Sequence, residues 1–209
     1  MRVGVFGGTF DPVHVGHLAI AQAAIDDAQL DRVVFVPARR SPLKATGPVA
    51  SEEDRLAMLE VAVRDEPHFS VSRVELERPA PSYTVDTLEA LKGQGELFLI
   101  LGSDALADLP KWRSPERIRA LASLIVARRP GAPEPDARSG ARAFDAPCLD
   151  ISSRELRTRA SRGLSLRYLV PDEVWRHIER KSAGLVQVVV ISQGRKTTRR
   201  VNHEGSERS

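Results

Sequence analysis

The chain has 209 residues, 42% of them hydrophobic and 28% charged, which fits one globular domain and excludes a disordered or fibrous protein. No run reaches the roughly 18 consecutive apolar residues of a membrane span, so no membrane partner is expected. The net charge of +3 resides in 182–209, where Arg195, Lys196, Arg199, Arg200 and Arg208 face Glu204 and Glu207; the 26 basic and 26 acidic residues before it balance. A neutral body weighs against nucleic acid as a partner, which would call for basic charge along a folded face.

In chain order, short apolar runs alternate with amphipathic stretches. Arg2–Phe6, Arg32–Val36, Phe69–Val74, Leu97–Leu101 and Ser123–Ala127 read as strands, several of them continuously apolar as buried parallel strands are. Val15–Ala28, Ser51–Arg64, Thr84–Lys92 and Ser114–Leu121 read as helices. The second opens on "SEED", a capping-box pattern, and the last on Ser114-Pro115-Glu116, an N-cap, a proline and an acid in order. Arg55 and Glu60 read as a solvated face of the second helix. The stretch "RPGAPEPDARSGARA" reads as a mobile surface loop. The alternation predicts an α/β fold: a Rossmann-like doubly wound parallel sheet, one domain over 1–181, with right-handed crossovers. Residues 182–209 form a basic C-terminal extension read as dispensable. Cys148 is the only cysteine, and no basic segment with an apolar run precedes the first strand, so a cytoplasmic protein without disulfides is expected.

The stretch "VGVFGGTFDPVHVGHLAIAQAA", Val3–Ala24, carries the chemistry. In a doubly wound sheet the first strand-to-helix loop offers backbone N–H groups and a positive helix terminus to anions. Gly7 and Gly8 are placed in that loop, where a bare backbone can approach phosphate oxygens. Neither G-x-G-x-x-G nor the P-loop pattern is present, so the loop is a different device. His14 and His17, three residues apart, share a face of the first helical turn, and Gly16 between them leaves room for a ligand. A metal pair is disfavoured, because no second His/Cys cluster accompanies them.

"GGTFDPVHVGH" resembles the signature of the nucleotidyltransferases marked by His-x-Gly-His, and within them is similar to the nicotinate mononucleotide adenylyltransferases. "SYTVDTL" at 82–88, "LGSDAL" at 101–106, "LPKW" at 109–112 and "ISSRELR" at 151–157 agree with that family in order, over about residues 1–180. The resemblance implies phosphate contacts from His14, His17, Lys44 and Arg157. It implies nucleotide contacts from Gly7, Gly8, Thr9, Phe10, Gly16, Gly102, Asp104, Ile151, Ser152 and Ser153. It further implies an acceptor site at Ser82, Tyr83, Thr84 and Trp112, with Trp112 stacking on a pyridine ring. Two positions depart from the family pattern: Leu43 stands where a histidine is common, and Arg154 where a threonine is usual.

The reaction so implied joins ATP to nicotinate mononucleotide, giving nicotinate adenine dinucleotide and pyrophosphate. The attacking phosphate is already mostly ionised at neutral pH, since its second pKa is about 6, so positioning and charge neutralisation suffice. Mg²⁺ is expected through the ATP phosphates, with no dedicated protein metal site. Residue by residue, plainer readings stand alongside: Thr84, Asp104, Ser152 and Ser153 as helix caps, Trp112 as a rim aromatic. For the whole chain the alternatives are the same fold acting on nicotinamide mononucleotide or phosphopantetheine, a nucleotide sensor without turnover, or RNA binding by the tail. A homo-oligomer is left open.

Overall fold

The computed structural model describes residues 1–40, 47–128, 134–147 and 149–181. Leu43, Lys44, Cys148 and the extension from 182 onward lie outside the described residues. The elements are β1 (Arg2–Gly8), α1 (Val15–Ala28), β2 (Arg32–Pro37), α2 (Glu52–Val63), β3 (Phe69–Val71), α3 (Thr84–Leu91) and β4 (Glu96–Gly102). They continue as α4 (Ser103–Asp108), α5 (Pro115–Leu121), β5 (Ala122–Arg128), β6 (Ala141–Asp145) and α6 (Ser153–Ser161), with a last helix, α7, over 172–181.

Six strands form one sheet in the order β3-β2-β1-β4-β5-β6, every pairing parallel. This is the doubly wound arrangement, in which the chain reverses direction across the sheet between β1 and β4. Alternate side chains of each strand feed two cores. Phe6, Val33, Phe35, Phe98, Ile100 and Ile125 pack beneath α1, α2 and α6. Val3, Val5, Val34, Leu97, Leu99 and Leu124 pack on the other face with α3 and α5. Burial on both faces is why these strands read as unbroken apolar runs.

Register decides where the sheet opens. β1 stays paired with β2 from Val3↔Arg32 to Gly8↔Pro37, but its pairing with β4 stops at Val5↔Leu99. Beyond that point Phe6–Gly8 and Ile100–Gly102 splay apart at the carboxyl ends of the two central strands. A crevice at the switch point follows from the pairing itself.

Several expected bounds shift. Gly7 and Gly8 end β1 and do not lie in the loop after it; the Gly8 carbonyl accepts the Ala38 N–H at 2.8 Å. β3 is three residues long, because the chain turns at Arg73–Glu77, where the N–H groups of Leu76 and Glu77 bond the Arg73 carbonyl. The stretch read as one surface loop runs into β6, whose Ala141–Asp145 pairs with Leu124–Arg128. Ser51 caps α2 as expected, accepting from the Asp54 N–H at 3.0 Å, whereas Ser114 caps α5 in a left-handed conformation (φ 53°) without a side-chain bond. Among the described residues no helix is long and apolar enough to cross a membrane.

Candidate active site

A cavity of about 340 Å³ fills the crevice, within the size range of small-molecule sites. Gly7, Gly8 and Thr9 line it from the β1 side, Leu101 and Gly102 from β4, and Ser82, Tyr83, Thr84 and Trp112 from the segments that follow. A Cβ on Gly7 or Gly102 would meet nothing within 4 Å, so at both positions bare backbone faces open space. Gly8 answers a different need: its Cβ would stand 2.8 Å from the Phe10 ring.

Tyr83 is the N-cap residue of α3, which leaves the N–H groups of Thr84 and Val85 at the helix start, where an anion is favoured. Thr84 is therefore the first helical residue and does not cap the helix. The Arg113 guanidinium stacks over the Tyr83 ring at 4.8 Å. Ser82 is held to the segment just after β2: its Oγ accepts from the Arg39 N–H at 3.0 Å and its own N–H donates to the Arg40 carbonyl at 2.9 Å. Trp112 packs against the α3 and α5 core, and its Nε1 is buried without a partner among the described residues, an unmet donor in the cavity wall.

The two histidines meet at the entry to α1. His14 is its N-cap residue and His17 lies three residues on; their rings stack with centroids 3.7 Å apart at 28°. The His14 backbone N–H donates to His17 Nδ1 at 3.2 Å. A neutral His17 ring therefore carries its proton on Nε2 and can donate from that side. His14 is 6% exposed, and burial lowers its pKa to about 4, so it is neutral at physiological pH. Its Nδ1 has no hydrogen-bond partner among the described residues. A Cβ on Gly16 would lie 3.1 Å from that nitrogen, so Gly16 makes room for the ring. The Phe10 side chain is buried and meets His17 edge-on at 5.0 Å; it supports the histidine from the core and does not line the cavity.

Asp11 joins this corner to the rest of the fold. It is 3% exposed, and its carboxylate accepts the N–H groups of Val49 at 2.7 Å and Ala50 at 3.2 Å. Arg157 of α6 donates to the Asp11 carbonyl at 2.5 Å and pairs with its carboxylate at 3.7 Å. The Ser153 hydroxyl donates to the Pro12 carbonyl at 2.9 Å, docking the start of α6 on the same loop, where Ile151 packs on the core. Ser152 caps α6, its Oγ accepting the Glu155 N–H at 3.2 Å. Asp104 lies exposed in the first turn of α4, which Gly102 caps, so the reading of Asp104 as an N-cap is corrected.

Arg55, read as part of a solvated face, is fully buried. One Nη donates to the carbonyls of Thr9 and Ala38, both at 2.8 Å, and the other to that of Arg39 at 3.5 Å. Burial lowers its pKa while Asp11, Glu52 and Glu53 oppose that shift. Two further polar residues also escaped the sequence reading: Glu75, 7% exposed, and Thr87, 2% exposed, line the cavity with the Thr87 hydroxyl donating to Glu75 at 2.6 Å. No spacing marks Glu75, which sits in the irregular turn before α3, and Thr87 lies within "SYTVDTL" without a role assigned to it there.

A doubly wound sheet with a cavity at its switch point and a His-x-Gly-His helix entry beside it defines a nucleotide-handling α/β protein. The cytidylyltransferase-like family model matches residues 5–159, and the chain belongs to that family. A probable nicotinate-nucleotide adenylyltransferase of Roseiflexus castenholzii is 47% identical over 189 residues, covering 85% of this chain and 95% of the relative. One from Thermus thermophilus is 46% identical over 183 residues, covering 86% and 97%. Among solved structures, the nicotinic acid mononucleotide adenylyltransferase of Plasmodium falciparum complexed with NaAD superposes with a TM-score of 0.68 at 18% identity, covering 86% of this chain and 95% of that one. At that identity the likeness establishes the shared fold.

Proposed function

We propose that this chain transfers the adenylyl group of ATP to nicotinate mononucleotide, releasing pyrophosphate, as a step of NAD biosynthesis. The observation that carries the reading is the cavity between the splayed ends of β1 and β4, lined by Tyr83, Thr84 and Trp112. Relatives carrying that activity in their names match along most of the chain.

An oxygen of the acceptor phosphate attacks the α-phosphorus of ATP, the bond from that phosphorus to the bridging oxygen breaks, and pyrophosphate leaves with the electron pair. No protein nucleophile or proton transfer is required; the residues position the reactants and offset charge. His17 donates from Nε2 to the phosphates. Neutral His14 contributes an imidazole dipole that needs no counter-ion. Arg157 supplies a planar fork for phosphate oxygens, and Lys44 a further cation. Binding of the triphosphate competes with the Arg157 contact to Asp11, so the guanidinium exchanges a carbonyl and a carboxylate for phosphate.

Trp112 stacks on the pyridine ring, and the N–H groups at the start of α3 receive its carboxylate. Among the described residues no group of three or more His, Cys, Asp or Glu could hold a metal ion. A magnesium ion entering with ATP would offset part of the phosphate charge. We place the reaction in the cytoplasm, with ATP and the mononucleotide as its small-molecule partners. Mass spectrometry of a reaction containing both substrates tests the reading: nicotinate adenine dinucleotide must accumulate in step with pyrophosphate, and neither when one substrate is omitted.

A further inference from the structure

We propose that Glu75 is the charge partner of the acceptor's ring: its carboxylate, in the wall of the cavity shared with Trp112, recognises the positive pyridinium of the mononucleotide. The inference rests on the cavity being the acceptor pocket and adds which feature of the acceptor that pocket selects.

Glu75 is 7% exposed and lines the cavity with Tyr83, Thr84 and Trp112. Its Oε1 accepts the Thr87 hydroxyl at 2.6 Å. Arg78 reaches the same hydroxyl at 3.2 Å and the Val74 carbonyl at 2.9 Å. Among the described residues Glu75 itself forms no ion pair. A carboxylate buried against one neutral hydroxyl leaves its charge without a direct counter-ion, an arrangement that costs stability and concentrates at functional sites. Among the described residues the two cations lining the cavity do not answer it: Lys111 pairs with Asp108 at 2.7 Å and Arg113 with Asp86 at 3.6 Å, and both side chains are more than half exposed.

A carboxylate and an indole in one small cavity suit a planar cation, which gains an ion pair at one edge and a cation–π contact on its face. The ribosylated pyridine nitrogen of nicotinate mononucleotide makes its ring such a cation. A ring of the same shape without the charge keeps the stacking and loses the attraction.

The competing role for Glu75 is purely structural, clamping Thr87 and thereby the first turn of α3. Glu75→Gln separates the two, because the amide oxygen still accepts from Thr87 while the charge is gone. The probes are nicotinate mononucleotide and its benzoate C-riboside phosphate, which has the same outline and anionic groups but a neutral ring. Each is titrated calorimetrically into the full chain, and the KM for ATP is measured alongside. The wild type should bind the pyridinium compound about tenfold tighter than the benzoate. Glu75→Gln should bring the ratio near one, with affinity for the benzoate and the KM for ATP unchanged. Equal binding of the two compounds by the wild type overturns the inference without any variant, as does a Glu75→Gln protein that keeps the wild-type ratio or loses affinity for both alike. A wild type that binds neither compound and forms no dinucleotide overturns the acceptor reading itself.

Discussion

Arg55 donates to the carbonyl of Thr9 at 2.8 Å from near the start of α2, at a position the sequence places on a solvated face. The same nitrogen holds Ala38, so one buried guanidinium fixes the loop leaving β1 against the end of β2. Replacing it by Met removes the donor from both carbonyls and leaves an apolar side chain in a site built for a charge. Arg55→Met should lower the unfolding free energy by about 3 kcal/mol, read from denaturant midpoints. Turnover should fall with it, because Thr9 lines the cavity.

Gly16 makes a sharper prediction, since fold and function should respond in different ways. Alanine there gains helix propensity of about 1 kcal/mol, while its Cβ presses on His14 at 3.1 Å. Gly16→Ala should leave stability within about 1 kcal/mol of wild type and reduce kcat tenfold or more. Thermal melts beside steady-state kinetics would show whether the two effects part in this way.

His17→Ala removes the acceptor for the His14 N–H and the proposed phosphate donor. Its structural cost should stay near 1 kcal/mol, the usual worth of a helix cap. The loss in kcat should reach a hundredfold or more, because the contact strengthens as charge builds on the leaving pyrophosphate. Wild-type turnover in this variant would remove the histidine from the mechanism.

His14 also dictates a pH dependence. Its folded pKa of about 4 lies below the ordinary 6.5, so between these values the unfolded chain binds a proton that the native state refuses. Stability from this group is complete above about pH 6.5 and is lost as pH falls toward 4, a swing of about 3 kcal/mol. Denaturation midpoints measured from pH 7 to 4 should fall more steeply for wild type than for His14→Gln.

The sheet was legible because its strands are buried on both faces and so read as unbroken apolar runs; α1 was legible over its full length, Val15–Ala28. β6 was not, because in "ARAFD" only Phe144 is buried and the strand lies at the edge of the sheet. His14 and His17 stood out by residue type and spacing, whereas Tyr83 and Trp112 were picked out by the likeness of their stretches to family motifs. Arg55, Asp11 and Glu75 did not stand out. Arg55 and Asp11 bond mainly to backbone brought near by the fold, Glu75 to a single distant hydroxyl, and backbone carbonyls and N–H groups leave no mark in a sequence.

The most direct test of the account is pyrophosphate release with ATP and magnesium, comparing nicotinate mononucleotide with nicotinamide mononucleotide at equal concentration. The acid should be strongly preferred, its carboxylate meeting the N–H groups at the start of α3 as proposed. Equal rates with both acceptors would contradict that pocket, and no release with either would contradict the proposed reaction.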